Sequence, residues 1–309
     1  MYFRLLFWGK VTKKNNTLVK KTEKNACFNE KKHIFAPKLQ KNSNFFIINR
    51  RNPRFLCGAE QNYMKVLYFF YQWLIFVPLL VIISIIASLA TSIGCLIGNK
   101  NFWGYWPGVI WARCIVRLSL CPVTVEGREN IDKNTEYVFV ANHQGAFDIF
   151  LLFGFLGHDF RWMLRKGLRK IVFVGAACER AGHIYVDSHG SSGMMHTIRQ
   201  ALATLKEGHS LIIFPEGTRS NDGHLGTFKK GAFTLAAMLK VPVVPLTIEG
   251  PYKVLQKGSW LVHPHHLKLT IHKPLEPVSR KEGTDAGVDR LLHESQRVIA
   301  ESLGEPVQE

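Results

Sequence analysis

Acidic residues are scarce in this chain, and closely spaced cysteine pairs are absent from it. Its 309 residues contain 23 Asp and Glu against 40 Lys and Arg, which gives a net charge of +17 at pH 7. No Cys-x-x-Cys pair occurs among the six cysteines, and this spacing indicates reduced thiols of a cytosol-facing protein rather than a disulfide framework. The cysteines are Cys27, Cys57, Cys95, Cys114, Cys121 and Cys178.

Several motifs of common enzyme and binding classes are also missing. The sequence has no Gly-x-Ser-x-Gly nucleophile elbow, no Walker phosphate loop and no dinucleotide fingerprint. No recognised nucleic-acid motif accompanies the basic charge, so we expect an anionic membrane surface or an anionic substrate as partner, and no nucleic acid. We expect no metal either, because His263, His265 and His266 lack a cysteine or carboxylate at matching spacing and are typical of a solvated turn.

The positive charge is concentrated at the N-terminus. Residues 1–63 contain ten Lys and four Arg against three Glu, a charge of +11, and the other 246 residues carry about +6. Residues 1–63 show no helical or strand period and lack the pattern of a cleaved signal peptide. They form either a disordered basic tail or a segment that is not translated, in which case Met64 is the natural start.

A long uncharged stretch follows, from Val66 to Asn99. Because roughly 20 apolar residues span a bilayer as a helix, residues 64–99 are predicted to anchor the chain in a membrane. Two arrangements remain open: a single span after Pro78, or a helical pair that enters one leaflet and returns. The aromatic-rich segment after residue 100 favours an interfacial helix, with Arg113 and Arg117 facing lipid phosphates, over an ordinary core helix.

Strands and helices alternate from residue 121 onward, which predicts an α/β fold: a mostly parallel sheet of about seven strands flanked by helices. We assign residues 100–278 to this domain and 279–309 to a C-terminal amphipathic helix and tail. The predicted strands are Val123–Glu126, Tyr137–Ala141, Arg161–Leu164, His183–Val186, Ser210–Phe214, Val241–Ile248 and Leu267–Ile271. The predicted helices are 146–156, 167–181, 192–207 (capped by Ser191 or Ser192 and ended by Gly208), 229–240 and 285–303.

A polar cluster interrupts two apolar runs at Asn142–Asp148, in the sequence NHQGAFD. The pattern predicts a buried strand, a tight turn and a helix start, which places His143 and Asp148 at the carboxyl end of a strand. Ligand sites of open α/β sheets lie at that edge. A histidine oriented by a carboxylate is suited to act as a general base.

With this block, and with FPEGTRS at residues 214–220 and VPVVP at residues 241–245, the chain resembles the glycerolipid acyltransferase family, in particular its lysophosphatidic acid acyltransferases. The resemblance covers roughly residues 120–275. It implies that an acyl group moves from a thioester of coenzyme A or acyl carrier protein to the free hydroxyl of lysophosphatidic acid. Because a thioester is already activated, this transfer needs a base but no covalent nucleophile and no cofactor.

The resemblance also implies roles for individual residues. His143 would be the general base and Asp148 the group that orients it. Substrate contacts would come from Asn142, Lys166, Glu216, Gly217, Thr218 and Arg219. Membrane lipids would surround the anchor, and we expect a bacterial inner membrane with the catalytic domain facing the cytoplasm.

One block departs from the family pattern. Members commonly have Gly-x-Ile-Phe-Val-Asp-Arg, whereas this chain has Ser188 in the place of that arginine. Lys166, Arg169, Arg199 or Lys229 could supply the missing charge. The substitution motivates an alternative acceptor, another lysolipid such as a lyso-aminolipid. A second alternative function is that of a non-catalytic lipid-binding membrane protein.

Overall fold

A long apolar helix begins the part of the chain that the structure describes. The structure is a computed structural model, and it describes residues 66–186, 190–279 and 283–307. The predictions for residues 1–63 therefore lie outside the described residues. Helix α1 (Val66–Ile97) contains a π-helical segment at Gln72–Phe76 and continues as regular α-helix over Val77–Ile97. Pro78 does not end the helix, because it follows the widened turn, where its missing N–H is tolerated.

Most of the apolar surface of helix α1 is not covered by the other described residues. Large side chains along it are exposed, among them Leu74 at 71% and Ile86 at 60%. Within the described ranges it is the one helix long and apolar enough to cross a membrane. This combination indicates association with a membrane, whereas a single span or a re-entrant pair remains a prediction.

Helix α2 (Lys100–Leu118) folds back onto α1 and forms a helical hairpin with it. Asn99 caps its first turn by accepting from the N–H groups of Asn101 and Phe102, at 2.9 and 3.2 Å. The ring of Trp103 occupies the space where Gly94 has no side chain, and Trp111 Nε1 donates to Ser84 Oγ at 2.9 Å. These aromatic side chains therefore join the two helices.

Arg113 also has a contact within the protein, and its predicted lipid contact stays a prediction. Its Nε donates to the Gly154 carbonyl at 2.7 Å, so the guanidinium group connects α2 to the α/β domain. Arg117, one turn further along, is exposed as expected.

The remaining chain forms seven strands and six further helices within the described residues. The strands are β1 (Val123–Glu126), β2 (Val138–Ala141), β3 (Phe160–Arg165), β4 (Ile184–Val186), β5 (Ser210–Ile213), β6 (Val243–Glu249) and β7 (Leu267–Ile271). The helices are α3 (Phe147–Phe155), α4 (Val174–Arg180), α5 (Gly190–Lys206), α6 (Gly231–Leu239), α7 (Pro251–Val254) and α8 (Thr284–Leu303), with short 3₁₀ segments at Arg128–Asn130 and Lys166–Lys170.

The strands form a single sheet in the order β1-β7-β6-β2-β5-β3-β4. All neighbours are parallel except β6 and β7, which are antiparallel. The predicted mostly parallel seven-stranded α/β sheet is thus confirmed. Because β2, β3, β5 and β6 run in the same direction, their carboxyl ends meet at one edge of the sheet, which is where ligands bind in such folds.

The two faces of the sheet are covered by different helices. Along β2, Phe139 and Ala141 face a core built with α1, α2 and α3, whereas Val138 and Val140 face a core built with α5, α6 and α8. Strands buried on both faces explain the continuous apolar runs seen in the sequence. Helix α8 contributes Leu291 and Ile299 to the second core.

The other predicted helix limits agree to within two residues, but one predicted helix is interrupted and the predicted caps of another lie inside it. The helix predicted at 167–181 is a 3₁₀ segment and then α4, separated at Phe173, whose φ of 66° does not continue a right-handed helix. Helix α5 begins at Gly190, before Ser191 and Ser192, so these serines do not precede the helix as caps. Gly208, with a φ of 82°, does follow its end as predicted.

Candidate active site

His143 and Asp148 form a hydrogen-bonded pair at the carboxyl edge of the sheet. His143 follows β2, Asp148 lies in the first turn of α3, and Nδ1 of the imidazole is 2.6 Å from Asp148 Oδ2. The same oxygen accepts from the Gly145 N–H at 2.9 Å. When Nδ1 carries the proton toward Asp148, Nε2 has its lone pair free, and no residue of the described ranges hydrogen-bonds to Nε2. The arrangement can therefore accept a proton at Nε2.

The two members of the pair are buried to different extents. Asp148 is inaccessible to solvent, whereas the His143 side chain is 16% exposed. Burial raises the pKa of Asp148, and its hydrogen bond with His143 opposes that rise. The imidazole therefore faces the crevice while the carboxyl group is held inside the protein.

Stacked rings fix the plane of the imidazole. The Phe214 ring lies parallel to His143, with 4.0 Å between centroids and an interplanar angle of 11°. Trp162 stacks on the other side of Phe214, at 5.8 Å. Phe214 is the first residue of FPEGTRS, so this block contributes to orienting the histidine, which the sequence did not predict.

Asn142 is buried beneath the catalytic turn. It is 1% exposed, its Nδ2 donates to the Ile248 carbonyl at 2.9 Å, and its Oδ1 accepts from the Ile248 N–H at 2.7 Å. These two bonds join the end of β2 to β6. The predicted substrate contact of Asn142 is therefore replaced by a structural one, since its amide group faces the interior.

Glu216 connects the FPEGTRS turn to the catalytic turn. Its Oε1 accepts from the backbone N–H of His143 at 2.8 Å, and the Gly226 backbone lies against the other oxygen. Burial raises the pKa of Glu216 to about 7. The Ser220 N–H returns a bond to the His143 carbonyl at 2.8 Å, so the two sequence blocks are fastened together by their backbones.

Three cationic side chains surround the FPEGTRS turn, and we call them the cation cluster: Arg165, Arg219 and Lys229. Arg165 donates to the Gly217 carbonyl, and the Lys229 ammonium group is 3.0 Å from the position that a Cβ at Gly217 would take. Burial lowers the pKa of Arg219, an effect that Asp148 opposes and Arg165 reinforces. Like charges are thus held close together at this edge, which favours an anionic ligand.

Arg165 was not identified from the sequence. It is the last residue of β3, and its proximity to Gly217 depends on β3 lying beside β5 in the sheet. A basic residue at a strand end was the available signal, but the strand order needed to interpret it could not be read from the sequence.

The other predicted basic residues have different positions. Lys166 follows Arg165 and is exposed at the same edge, so it remains a predicted substrate contact. Arg169 pairs with Glu179 at 2.6 Å, and Arg199 is exposed on α5. Of the four candidates for the missing family arginine, Lys229 lies against the FPEGTRS turn. Ser188 and Asp187 themselves fall outside the described residues.

Two glycines that could supply backbone donors use their N–H groups internally. Gly145 donates to Asp148, and Gly217, at a φ of 72°, donates to the Phe214 carbonyl at 3.0 Å. The exposed hydroxyl of Thr218 lies beside Gly217. The geometry therefore assigns these two N–H groups to building the site rather than to binding a reacting oxygen.

The part of the chain that contains the site is similar to known proteins. Residues 122–249 match the model of the Acyltransferase family, a range that includes the His143–Asp148 pair, the FPEGTRS turn and Arg165. The chain is 37% identical over 183 residues to a chloroplastic 1-acyl-sn-glycerol-3-phosphate acyltransferase of Arabidopsis thaliana, covering 59% of this chain and 49% of that protein. A chloroplastic relative in Brassica napus is 36% identical, with 50% of its length covered. The chain thus spans about half the length of these two relatives.

Other relatives match over more of their length. A 1-acyl-sn-glycerol-3-phosphate acyltransferase of Saccharomyces cerevisiae is 29% identical over 228 residues, covering 69% of this chain and 71% of the yeast protein. The crystal structure of a 1-acyl-sn-glycerophosphate acyltransferase from Thermotoga maritima superposes with a TM-score of 0.64 at 26% identity. That match covers 79% of this chain and 99% of the solved one.

Proposed function

We propose that this chain, whose residues 122–249 match the model of the Acyltransferase family, transfers a fatty acyl group to the sn-2 hydroxyl of lysophosphatidic acid, giving phosphatidic acid. The observation that carries the proposal is the His143–Asp148 pair with Nε2 open toward the crevice, next to the cation cluster. The pair supplies a base for a hydroxyl group, and the cluster supplies charge for a phosphate. The relatives of Arabidopsis and yeast are named for the same reaction.

The reaction proceeds in a complex of enzyme, thioester and acceptor. His143 Nε2 accepts the proton of the acceptor hydroxyl while its oxygen attacks the thioester carbonyl, and Asp148 stabilises the imidazolium ion. The tetrahedral intermediate collapses with cleavage of the carbon–sulfur bond, and the imidazolium returns its proton to the departing thiolate. The new ester and the free thiol then leave.

A covalent acyl-enzyme is not part of the proposal. In the described part of the chain, no serine, threonine or cysteine side chain hydrogen-bonds to His143. A histidine without a neighbouring nucleophile suits direct proton abstraction from a substrate. The acyl donor is a thioester of coenzyme A or of acyl carrier protein, and no cofactor is required.

The cation cluster is the proposed phosphate site. Arg219 offers the planar fork that matches a phosphate, and Arg165 and Lys229 add charge from β3 and from the segment before α6. The Glu216 carboxyl group is directed to backbone N–H groups, so it does not cancel this charge. Lys166 and Thr218 stay proposed contacts at the rim, and the Arg165–Gly217 bond holds the turn in place.

A lyso-aminolipid acceptor is the second candidate, motivated by Ser188 in the place of the family arginine. The three side chains of the cation cluster favour lysophosphatidic acid, which carries a phosphate, over the lyso-aminolipid. A non-catalytic lipid-binding role is disfavoured, because the His143–Asp148 pair has the geometry of a functional base.

The proposed location follows from α1, which would hold the crevice near the surface of a membrane. We propose the bacterial inner membrane, with the site facing the cytoplasm. A plastid membrane is the alternative, since two reported relatives are chloroplastic. Fractionation of the source cells distinguishes the two locations.

The test is an acyl-transfer assay on the full chain in membranes, with both thioester donors and with lysophosphatidic acid, a lyso-aminolipid and 1-acylglycerol as acceptors. We expect phosphatidic acid as the main product. His143→Ala should lower kcat by about 10²- to 10⁴-fold, the usual contribution of a general base. Near-normal transfer by His143→Ala would contradict the assignment of the base, and preference for the lyso-aminolipid would replace the acceptor.

A further inference from the structure

Gln72 is a buried polar side chain in helix α1, which is uncharged and largely apolar. It is 1% exposed, its Nε2 donates to the Trp260 carbonyl at 2.6 Å, and its Oε1 accepts from the Val262 N–H at 3.0 Å. Both bonds go to the backbone of residues 255–262, which we call the strap. One side chain of the membrane helix thus holds the strap at two points.

The backbone of α1 is distorted where it contacts the strap. Gln72 is the first residue of the π-helical segment Gln72–Phe76, and both end residues of that segment are buried. Segments of π-helix are frequent at functional sites, because the extra residue redirects side chains that a regular helix would place elsewhere. The widened turn coincides with the residue that binds the strap.

The strap continues to the proposed phosphate site. Lys257 Nζ donates to Asn221 Oδ1 at 2.7 Å and to the Arg219 carbonyl at 3.5 Å. Just before the strap, α7 packs on the catalytic turn, where a Cβ at Gly145 would be 3.1 Å from the Pro251 carbonyl. The strap therefore bridges α1 and the segment that carries Arg219.

We propose that Gln72 is a positioning residue for the acceptor: by holding the strap, it places Lys257 against the backbone of Arg219 and so fixes the phosphate site relative to the membrane helix. The inference rests on the proposed function and extends it to a residue outside the matched family range. Within the described residues, neither His143 nor Asp148 hydrogen-bonds to the strap, and their pair is held by β2, α3 and the Asn142–Ile248 bonds. Loss of the Gln72 bonds should thus weaken acceptor binding and leave the chemical step intact.

The variant is Gln72→Met, which keeps the length of the side chain and removes both hydrogen bonds. We expect the KM for lysophosphatidic acid to rise about 3- to 10-fold, the change that corresponds to loss of about one net hydrogen bond, with little change in kcat. The KM for 1-acylglycerol, which lacks the phosphate, should stay the same. Gln72→Leu, which also removes both hydrogen bonds, should show a similar rise and serves as the second variant.

The matched control is Ser84→Ala. Ser84 is also a polar residue of α1, and its hydroxyl accepts from Trp111 of α2 rather than from the strap. Lys257→Met removes the other end of the link, and combining it with Gln72→Met should add little to either single change, because both act through the strap. Equal KM values in Gln72→Met and Ser84→Ala, or fully additive effects, would overturn the inference.

Hydrogen–deuterium exchange gives a readout that does not depend on acyl transfer. In Gln72→Met, backbone amides of the strap and of residues 219–221 should exchange faster than in wild type, whereas Ser84→Ala should leave both segments unchanged. Unaltered exchange in residues 219–221 would refute the coupling even if the enzyme is active. An inactive wild-type chain with the expected exchange pattern would instead refute the proposed function alone.

Discussion

The carboxyl group of Glu216 illustrates how burial changes the chemistry of a single residue. Burial raises the pKa of Glu216 to about 7 from a usual 4.5. The folded protein therefore keeps a proton that the unfolded chain releases, and this contribution to stability is complete below about pH 4.5 and lost as the pH rises through about 7. His183 acts in the opposite sense, since burial lowers the pKa of His183 to about 3.

Comparison of wild type with Glu216→Gln separates these effects. Glutamine is neutral at every pH, so the variant should lose less stability than wild type between about pH 5 and about pH 8, by ~1–3 kcal/mol. Thermal unfolding followed by tryptophan fluorescence at the two pH values measures the difference. Glu207→Gln, at an exposed position just after α5, should behave as wild type. Equal pH dependence in Glu216→Gln and wild type would contradict the raised pKa.

Lys229 provides a second prediction at this scale, with its own neighbour as control. Lys229→Met should raise the KM for lysophosphatidic acid by about 10-fold or more, because a hydrogen bond to a charged group contributes ~1.5–3 kcal/mol. Lys230→Met should have little effect, since Lys230 pairs with Asp289 at 2.6 Å, away from the turn. Steady-state kinetics with lysophosphatidic acid and with 1-acylglycerol, which lacks the phosphate, test this prediction. A KM that rises equally for both acceptors would remove Lys229 from the phosphate site.

Individual residues were predictable from the sequence where the pattern is local. His143 and Asp148 are five positions apart, so one turn is enough to bring them together. The contacts of Asn142, Glu216 and Arg165 are set by strand order, which places residues more than 50 positions apart within hydrogen-bond distance. The sequence pattern indicated Asn142 and Glu216 as site residues and did not indicate Arg165. The hydrogen-bond partners of all three could not be inferred from their spacing along the chain.

At the scale of elements, the hairpin of α1 and α2 depends on close approach. A Cβ at Gly94 would overlap the Trp103 ring. Gly94→Ala should therefore displace Trp103 and lower stability by roughly 1–3 kcal/mol, the usual effect of overpacking. Gly231→Ala, in α6, has open space around the added Cβ and should be neutral or slightly stabilising. Thermal unfolding of the two variants in detergent is the measurement, and equal midpoints would refute the packing argument.

Element prediction succeeded where the sequence pattern has clear limits and failed where the backbone is strained. Strand β7 has the predicted limits, Leu267–Ile271, because its alternating pattern is bounded by polar turns. The helix predicted at 167–181 is interrupted at Phe173, whose positive φ no sequence pattern indicated. Helix α2 packs on α1 through Trp103 and on α3 through Tyr105, contacts that its aromatic composition alone does not indicate. Its interfacial position stays a prediction.

At the scale of the whole molecule, the exposed apolar surface of α1 should determine where the protein resides. Ile86→Arg places a charge on this surface, where insertion in the middle of a membrane helix costs about 2.5–3.5 kcal/mol. We expect less protein in the membrane fraction and more in the soluble or aggregated fraction. Ile86→Leu is the control. Unchanged membrane recovery of Ile86→Arg would indicate that another part of the chain provides the attachment.

The lack of a hydroxyl or thiol group hydrogen-bonded to His143, among the described residues, has a consequence for isotope exchange. Without a side-chain nucleophile to carry the acyl group, thioester and free thiol have no shared intermediate unless the lipid takes part. A labelled thiol should therefore enter the thioester pool only when phosphatidic acid is present, because the label must travel through the reverse reaction. The acyl group would pass directly from the thioester to the lipid hydroxyl without forming a covalent bond to the protein.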